Sequence, residues 1–216
     1  MDYAHNDTSL GERKTSTAVF NRPKLSQKLQ EIRRDAQSRE IPVADDETLC
    51  FLATLLNAVK PKKILELGTA VGISALFMLE NLPEAHVTTI EKNENFYAEA
   101  QKNFKNLVAE ERIKLISGDA GEEIKKLNGE FDFIFLDSAK VQYIKYLPDL
   151  KRLLTKGGVL YADDVLLYGW VTGEAPKKRK MLVEHIREYI EAVTSDDELT
   201  TTIIDIGDGA AVSVKK

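Results

Sequence analysis

Three acidic residues, Asp137, Asp163 and Asp164, each follow a short apolar run, in Phe135-Leu136-Asp137-Ser138-Ala139-Lys140 and Tyr161-Ala162-Asp163-Asp164. Runs of this kind read as buried strands, and neighbouring strands lie ~4.8 Å apart. If these two are neighbours, the three carboxylates converge at one point. Three carboxylates that close cannot all stay ionised without a cation. An all-oxygen ligand set suits Mg²⁺ or Ca²⁺, and Mg²⁺ keeps waters that a substrate can displace. His5, His86 and His185 fall outside the cluster, as does the single cysteine, Cys50, which argues against zinc. The rival reading is that one or two of these aspartates merely cap helices or loops. Lys140 follows Asp137 at i+3. Beside a divalent cation its ammonium is disfavoured, which lowers its pKa and suits a general base; a lone lysine otherwise reads as a solvent-facing charge.

A second constellation surrounds Ile64-Leu-Glu-Leu-Gly-Thr-Ala-Val-Gly72, where an apolar run carrying Glu66 breaks at Gly68 and restarts with helical periodicity. A glycine turn between strand and helix lets backbone approach a ligand and offers the free N–H groups of a helix N-terminus. The spacing Gly68-x-x-x-Gly72 lacks the third glycine of the dinucleotide pattern. A cofactor with a ribose and no phosphate fits better, and S-adenosylmethionine is the common one. Glu91 comes 23 residues after Gly68 and follows the next strand, where a carboxylate accepts both ribose hydroxyls. Gly118-Asp119-Ala120 closes the third strand, where Asp119 can accept from an adenine amino group.

The elements that must position these groups are legible from periodicity. Strands are expected at Lys63–Leu67, His86–Ile90, Ile113–Ile116, Phe131–Leu136, Gly158–Ala162, Thr201–Asp205 and Ala210–Val214. Helices are expected from Pro23 to Arg39, from Asp45 or Asp46, and from near Gly72, Asn95, Ala120, Val141 and Pro176. Strict alternation implies a doubly wound, mostly parallel α/β sheet covered on both faces. Gly207-Asp208-Gly209 makes a hairpin turn, so the seventh strand runs antiparallel. Residues 1–20 lack periodicity and read as a mobile arm; residues 21–216 read as one domain.

Composition sets the outer limits. The 216 residues are 43% hydrophobic and 30% charged, as in a globular protein with a sizeable core. No apolar run approaches the ~20 residues of a membrane span, and the first residues lack a secretory apolar stretch. One cysteine permits no intrachain disulfide and fits a reducing cytoplasm. A net charge of −5 excludes a surface that is basic throughout. Local basic groups remain at Lys177-Lys178-Arg179-Lys180 and at Arg22, Lys24, Lys28, Arg33 and Arg34, although such runs are commonly solvated helix faces.

From about Pro42 onward the chain resembles the cation-dependent, catechol-type O-methyltransferases of the S-adenosylmethionine-dependent, Rossmann-like superfamily. The likeness is strongest at Glu66-Leu-Gly-Thr-Ala-Val-Gly-Ile-Ser74, Asp137-Ser-Ala-Lys140 and Asp163-Asp-Val-Leu166. The resemblance implies that Asp137, Asp163 and Asp164 hold Mg²⁺ and that Lys140 takes the proton. It implies that Ser74 binds the methionine carboxylate of the cofactor. Glu91, Asp119, Ala120 and backbone near Ala44 would contact the cofactor too, together with Glu66, Gly68 and Asp137. A homodimer is implied as well. Within the family, Lys60–Glu66, Lys177–Val183 and Gly207–Lys216 look like bacterial tRNA 5-hydroxyuridine methyltransferases, whose acceptor is the wobble position of the anticodon loop. Two residues depart from the usual pattern: Asp164 stands where Asn is common, and Thr48 where Gly is common.

The acceptor must then carry two vicinal oxygens, one of them a hydroxyl. A tRNA 5-hydroxyuridine meets that requirement through O5 and O4, and a small catechol-like metabolite meets it equally. Tyr168 and Trp170 could stack on a base or cover a small ring. A nucleotide-binding or dehydrogenase module is the third reading, disfavoured by the missing glycine.

Overall fold

A computed structural model describes residues 21–107 and 111–216, so the arm expected at 1–20 lies outside the described residues. The chain runs α1 (Gln27–Ser38), α2 (Asp46–Val59), β1 (Lys63–Leu67), α3 (Ile73–Asn81), β2 (His86–Glu91), α4 (Glu94–Asn106) and β3 (Ile113–Ser117). It continues with α5 (Ala120–Lys126), β4 (Phe131–Leu136), α6 (Tyr143–Leu153), β5 (Leu154–Ala162), α7 (Lys180–Ser195), β6 (Leu199–Ile204) and β7 (Ala210–Lys215). The seven strands form one sheet in the order β3-β2-β1-β4-β5-β7-β6. Strands β1 to β5 pair in parallel, and β7 runs antiparallel to both of its neighbours. This is the doubly wound α/β architecture expected from the alternation.

Period-two alternation decides what each strand sends to each face. Ile64, Val87, Phe133, Phe135, Val159 and Tyr161 face a core shared with Leu29 of α1, Leu49 and Leu52 of α2, Leu76 of α3 and Phe104 of α4. Leu65, Leu67, Ile134, Leu136, Leu160 and Ala162 face the opposite core, with Ile124 of α5, Leu150 of α6 and Ile186 of α7. Helix α7 reads Val183, Ile186, Tyr189, Val193 on its buried side, the stripe a helix needs to dock on a sheet.

Helix α2 is started by Asp45, whose side chain accepts from the Thr48 N–H at 2.8 Å, with Asp46 and Glu47 in the first turn to complement the helix dipole. Two boundaries differ from expectation by four residues: α1 starts at Gln27, not Pro23, and β5 starts at Leu154, not Gly158. Leu154 is buried and pairs with Phe131, and the register then shifts before Phe133 meets Val159. Thr155-Lys-Gly-Gly158 is therefore an irregularity inside the strand, although its composition reads as a turn.

The chain steps outward from β1 to β3 and then returns to β4 on the other flank of β1. That reversal is the switch point at which open α/β sheets bind ligands, beyond the carboxyl ends of the strands. The turn after β1 and the acid after β4 are both there.

Candidate active site

The parallel register builds the acidic cluster directly. Leu136 of β4 lies opposite Ala162 of β5, so Asp137 and Asp163 are the next positions on two adjacent strand ends. The ladder runs on through both: the Asp137 N–H donates to the Leu67 carbonyl, and the Asp163 N–H donates to the Leu136 carbonyl, each at 3.0 Å. Carboxylate oxygens of Asp137, Asp163 and Asp164 all lie within 4.8 Å of one another. Asp164 has φ +57, in the left-handed region that aspartate and asparagine tolerate better than most residues. That backbone requirement accounts for Asp standing where Asn is common.

Asp163 is 3% exposed, and burial, then Asp164 and Asp137, push its carboxyl well above the usual range. A cluster of hard oxygens around one buried carboxyl that resists ionising fits a divalent cation, which would relieve the repulsion on it. Lys140 extends its Nζ to Asp137 Oδ1 at 2.7 Å and Asp164 Oδ2 at 3.0 Å. Burial alone would lower this lysine, but Asp137 and Asp164 outweigh it and hold the ammonium well above its ordinary value. The direction is the reverse of the lowered lysine expected from the sequence. The carboxylates presented to Lys140 carry their own negative charge, and only a cation on them would produce the lowering.

Three groups around the acids were not legible beforehand. Thr48, seen in the sequence only as a departure from glycine, is 2% exposed and its hydroxyl lies 3.4 Å from Asp163 Oδ1. The Tyr161 hydroxyl approaches the same oxygen at 3.5 Å. The Tyr143 hydroxyl donates to the Leu136 carbonyl at 2.9 Å and reaches the Asp163 carbonyl at 3.3 Å, bracing the ends of β4 and β5. Alternation along β5 could have placed Tyr161 on the face of Asp163; Thr48 and Tyr143 needed the tertiary fold.

The second half of the site is the turn after β1. Gly68 has φ +100, and a Cβ there would stand 1.9 Å from the Asp137 carbonyl oxygen. The close approach to the Asp137 backbone just after β4 demands glycine by itself, a reason beyond the approach to a ligand that the sequence suggests. Beside it the Ser138 hydroxyl is buried without a hydrogen-bond partner, an arrangement that calls for a ligand or a water. The Glu91 carboxylate accepts from the Ala70 N–H at 2.8 Å and from the Asn93 N–H at 2.7 Å, and each oxygen keeps a lone pair for a further donor. Asp119 caps α5 through the Gly121 N–H and accepts from Lys92 Nζ at 2.8 Å, which holds its carboxyl below the usual range. Ala120 opens the same helix. The Ala44 carbonyl accepts from Arg33 at 2.9 Å.

Glu66 lies differently from the other acids. It is fully buried on the α3 face of the sheet, accepting from the hydroxyls of Ser74 and Thr89 at 2.5 Å each. Burial pushes its carboxyl up to about 8.

The loop after Asp164 is laced to the β6–β7 turn: the Val165 N–H donates to the Gly209 carbonyl, and those of Leu166 and Leu167 donate to Asp208. Arg187 of α7 donates to the carbonyls of Val171 at 3.0 Å and Trp170 at 3.4 Å. Tyr168 is exposed and sits 5.1 Å from the largely buried Trp170 ring. Lys177, Lys178 and Arg179 form a single turn of 3₁₀ helix leading into α7, which Lys180 opens, and the three lysines are exposed. Among the described residues, no helix is long and apolar enough to cross a membrane.

Comparison with known proteins agrees with this geometry. The sequence profile of the O-methyltransferase family matches residues 15–216. A caffeoyl-CoA O-methyltransferase of Populus kitakamiensis is 31% identical over 182 residues, covering 80% of this chain and 76% of the poplar protein. Tapetum-specific methyltransferase 1 of Arabidopsis thaliana is 29% identical over 204 residues, covering 90% and 87%. The solved structure of a provisionally assigned caffeoyl-CoA O-methyltransferase from Staphylococcus aureus superposes with a TM-score of 0.83 at 30% identity, covering 89% of this chain and 93% of that one. The chain belongs to the O-methyltransferase family and is an S-adenosylmethionine-dependent enzyme.

Proposed function

We propose that this protein methylates a hydroxyl that has a second oxygen on the adjacent atom. The observation that carries this reading is the convergence of Asp137, Asp163 and Asp164 within 4.8 Å, beside a glycine turn packed against the Asp137 backbone. S-adenosylmethionine would supply the methyl group, and Asp137, Asp163 and Asp164 would hold Mg²⁺, which would supply Lewis-acid activation of the acceptor hydroxyl.

The chain's own groups have separate tasks in this reading. Thr48 and Tyr161 fix the buried Asp163 carboxylate, and Tyr143 keeps the two strand ends together. Lys140, which must be an unprotonated amine at that moment, holds the proton that leaves the acceptor hydroxyl. Gly68, the Ala44 backbone, Ser74, Glu91, Asp119, Ala120 and Asp137 form the cofactor wall, with Glu66 beneath it. Near-attack geometry follows from Gly68 and Asp137 sharing one contact, because the cofactor turn and the cation ligand cannot move apart independently.

For the acceptor, we infer 5-hydroxyuridine at the wobble position of a tRNA anticodon loop, methylated to 5-methoxyuridine. The exposed lysines at 177, 178 and 180 support this reading, since they follow the loop that leaves Asp164 and could meet phosphates. Tyr168, exposed on that loop, could stack on a base. A catechol-type small molecule is the second reading, favoured by the names of the poplar and staphylococcal relatives. The homodimer belongs with these proposals and is checked by light scattering. Labelled S-adenosylmethionine with Mg²⁺ and either tRNA carrying 5-hydroxyuridine or a catechol separates the two acceptors. Methyl transfer to neither would refute the vicinal-oxygen reading.

A further inference from the structure

Glu66, Ser74, Thr89 and Thr69 form a buried chain of polar groups under the turn after β1. Ser74 Oγ lies 2.5 Å from Glu66 Oε1, Thr89 Oγ1 lies 2.5 Å from Glu66 Oε2, and Thr69 Oγ1 lies 2.5 Å from Thr89 Oγ1. Strand register puts Glu66 directly opposite Thr89, and both face α3. Counting protons along this chain is decisive, because each hydroxyl has one to give. With Glu66 ionised, Ser74 donates to Oε1, Thr89 donates to Oε2 and Thr69 donates to Thr89. Every proton is then committed, and Ser74 has none for a ligand.

Ser74 is in the first turn of α3, is partly exposed and sits where free N–H groups and the helix dipole attract an anion. The anionic group of S-adenosylmethionine is its carboxylate, which accepts hydrogen bonds and cannot donate. It needs the proton that an ionised Glu66 keeps. A protonated Glu66 instead donates to Ser74 Oγ and releases the Ser74 proton toward the ligand, while Thr89 and Thr69 keep their bonds unchanged.

We propose that Glu66 is a positioning residue that couples cofactor binding to proton uptake: the cofactor carboxylate is bound through Ser74 with Glu66 as the neutral acid. This rests on the reading that the turn after β1 holds S-adenosylmethionine. The proton comes from solvent and resides on Glu66, whose O–H then points to Ser74. The surroundings favour that state. Burial is the chief cause of the raised carboxyl; the charged groups acting on it, Asp137 at the end of β4 and Glu91 at the end of β2, are both acidic and act the same way. The groups in hydrogen-bond contact from α3 and β2 are hydroxyls, which can either give or accept.

The test is isothermal calorimetry of S-adenosylhomocysteine, which carries the same carboxylate, on wild type, Glu66→Gln and Ser74→Ala. Titrations run with chelator present, from pH 7 to pH 9, in two buffers of different ionisation enthalpy. A carboxyl titrating near 8 makes wild-type affinity fall by about tenfold more over that range than the affinity of Glu66→Gln. At pH 9, wild type should take up nearly one proton more than either variant, whereas Glu66→Gln, whose amide donates permanently to Ser74, should bind with little pH dependence. Infrared difference spectra on ligand binding at pH 9 should gain a protonated-carboxyl band in wild type that Glu66→Gln lacks. Equal pH slopes and equal proton uptake in all three proteins would overturn the coupling while leaving the cofactor site standing. Failure of wild type to bind S-adenosylhomocysteine at all would overturn the cofactor reading and this inference with it.

Discussion

Replacing Gly68 with alanine tests the contact on which the whole site depends. The new Cβ would lie 1.9 Å from the Asp137 carbonyl oxygen and 2.8 Å from the Asp137 carbonyl carbon. Both are backbone atoms, so no flexible side chain can yield, and the turn must retreat from Asp137 by about 1.5 Å to regain van der Waals distance. At φ +100 the alanine also pays for a conformation that L residues avoid, about 1–3 kcal/mol. Forced overpacking costs a further ~1–3 kcal/mol. The expected loss of stability is therefore about 2–6 kcal/mol, read as a fall in Tm on the order of 10 °C for a domain of this size. Displacing the cofactor turn from Asp137 by more than about 1 Å should lower turnover by ~100-fold or more in the folded fraction. Gly157→Ala is the internal control: its φ is +77, but nothing lies within 4 Å of the added carbon, so it pays for backbone strain alone. Denaturation curves and turnover are measured on both variants. If Gly68→Ala matches Gly157→Ala in stability and retains wild-type turnover, the close approach of turn and strand is not what demands glycine there.

The other predictions concern the charged groups. Asp163→Asn should lower turnover by about 100-fold or more, and EDTA should stop wild type until Mg²⁺ is returned. The same variant should melt no lower than wild type in chelator, because it removes one of three crowded carboxylates. Full activity after exhaustive chelation would end the metal assignment. Lys140→Ala should cut turnover while leaving S-adenosylhomocysteine affinity within about twofold; a parallel loss of both, in binding and single-turnover assays, would make Lys140 structural. Changing Lys178 and Arg179 together to Ala should weaken tRNA methylation, flatten its salt dependence and spare a small catechol; unchanged tRNA kinetics across a salt series would favour the small-molecule acceptor. For Glu66 the sign follows from a folded-state carboxyl at about 8 against 4.5 ordinarily, so the native state binds the extra proton and stability falls as pH rises between those values. Relative to Glu66→Gln, wild type should lose up to ~1.4 kcal/mol per pH unit there in chemical denaturation, and parallel pH profiles would refute it.

Much of this architecture is readable from local pattern. All seven strands end within one residue of their expected positions, and four of the five parallel ones do so because apolar runs stop where the chain turns near Gly68, Glu91, Asp137 and Asp163. Those stops are also where the acids lie, which is why the cation cluster and the glycine turn could be found together. What the sequence could not supply is contact across long separations. Thr48 meets Asp163 across 115 positions, and nothing local to Thr48 announces that. The motif marks Glu66 as a cofactor-site residue, but its burial under α3 and its bond to Ser74 are decided only by the assembled sheet. Thr155-Lys-Gly-Gly158 has turn chemistry, yet burial of Leu154 against β4 extends the strand through it.

The place of β7 has a consequence for the order in which the molecule can assemble. Strand β6 precedes β7 in the chain, yet its sheet contacts are made through β7, which alone pairs with β5. Strand β6 therefore cannot join the sheet before β7 does. The turn of this hairpin delivers the Asp208 and Gly209 carbonyls that hold Val165, Leu166 and Leu167, and the Gly207 N–H that Glu47 accepts at 3.0 Å. Without the hairpin, the loop carrying Asp164 lacks these anchors, so the seat for a cation depends on the far edge of the sheet as well as on β4 and β5. The acceptor side of the site is thus held by contacts of high sequence separation, which carry a larger closure entropy than the local turn after β1.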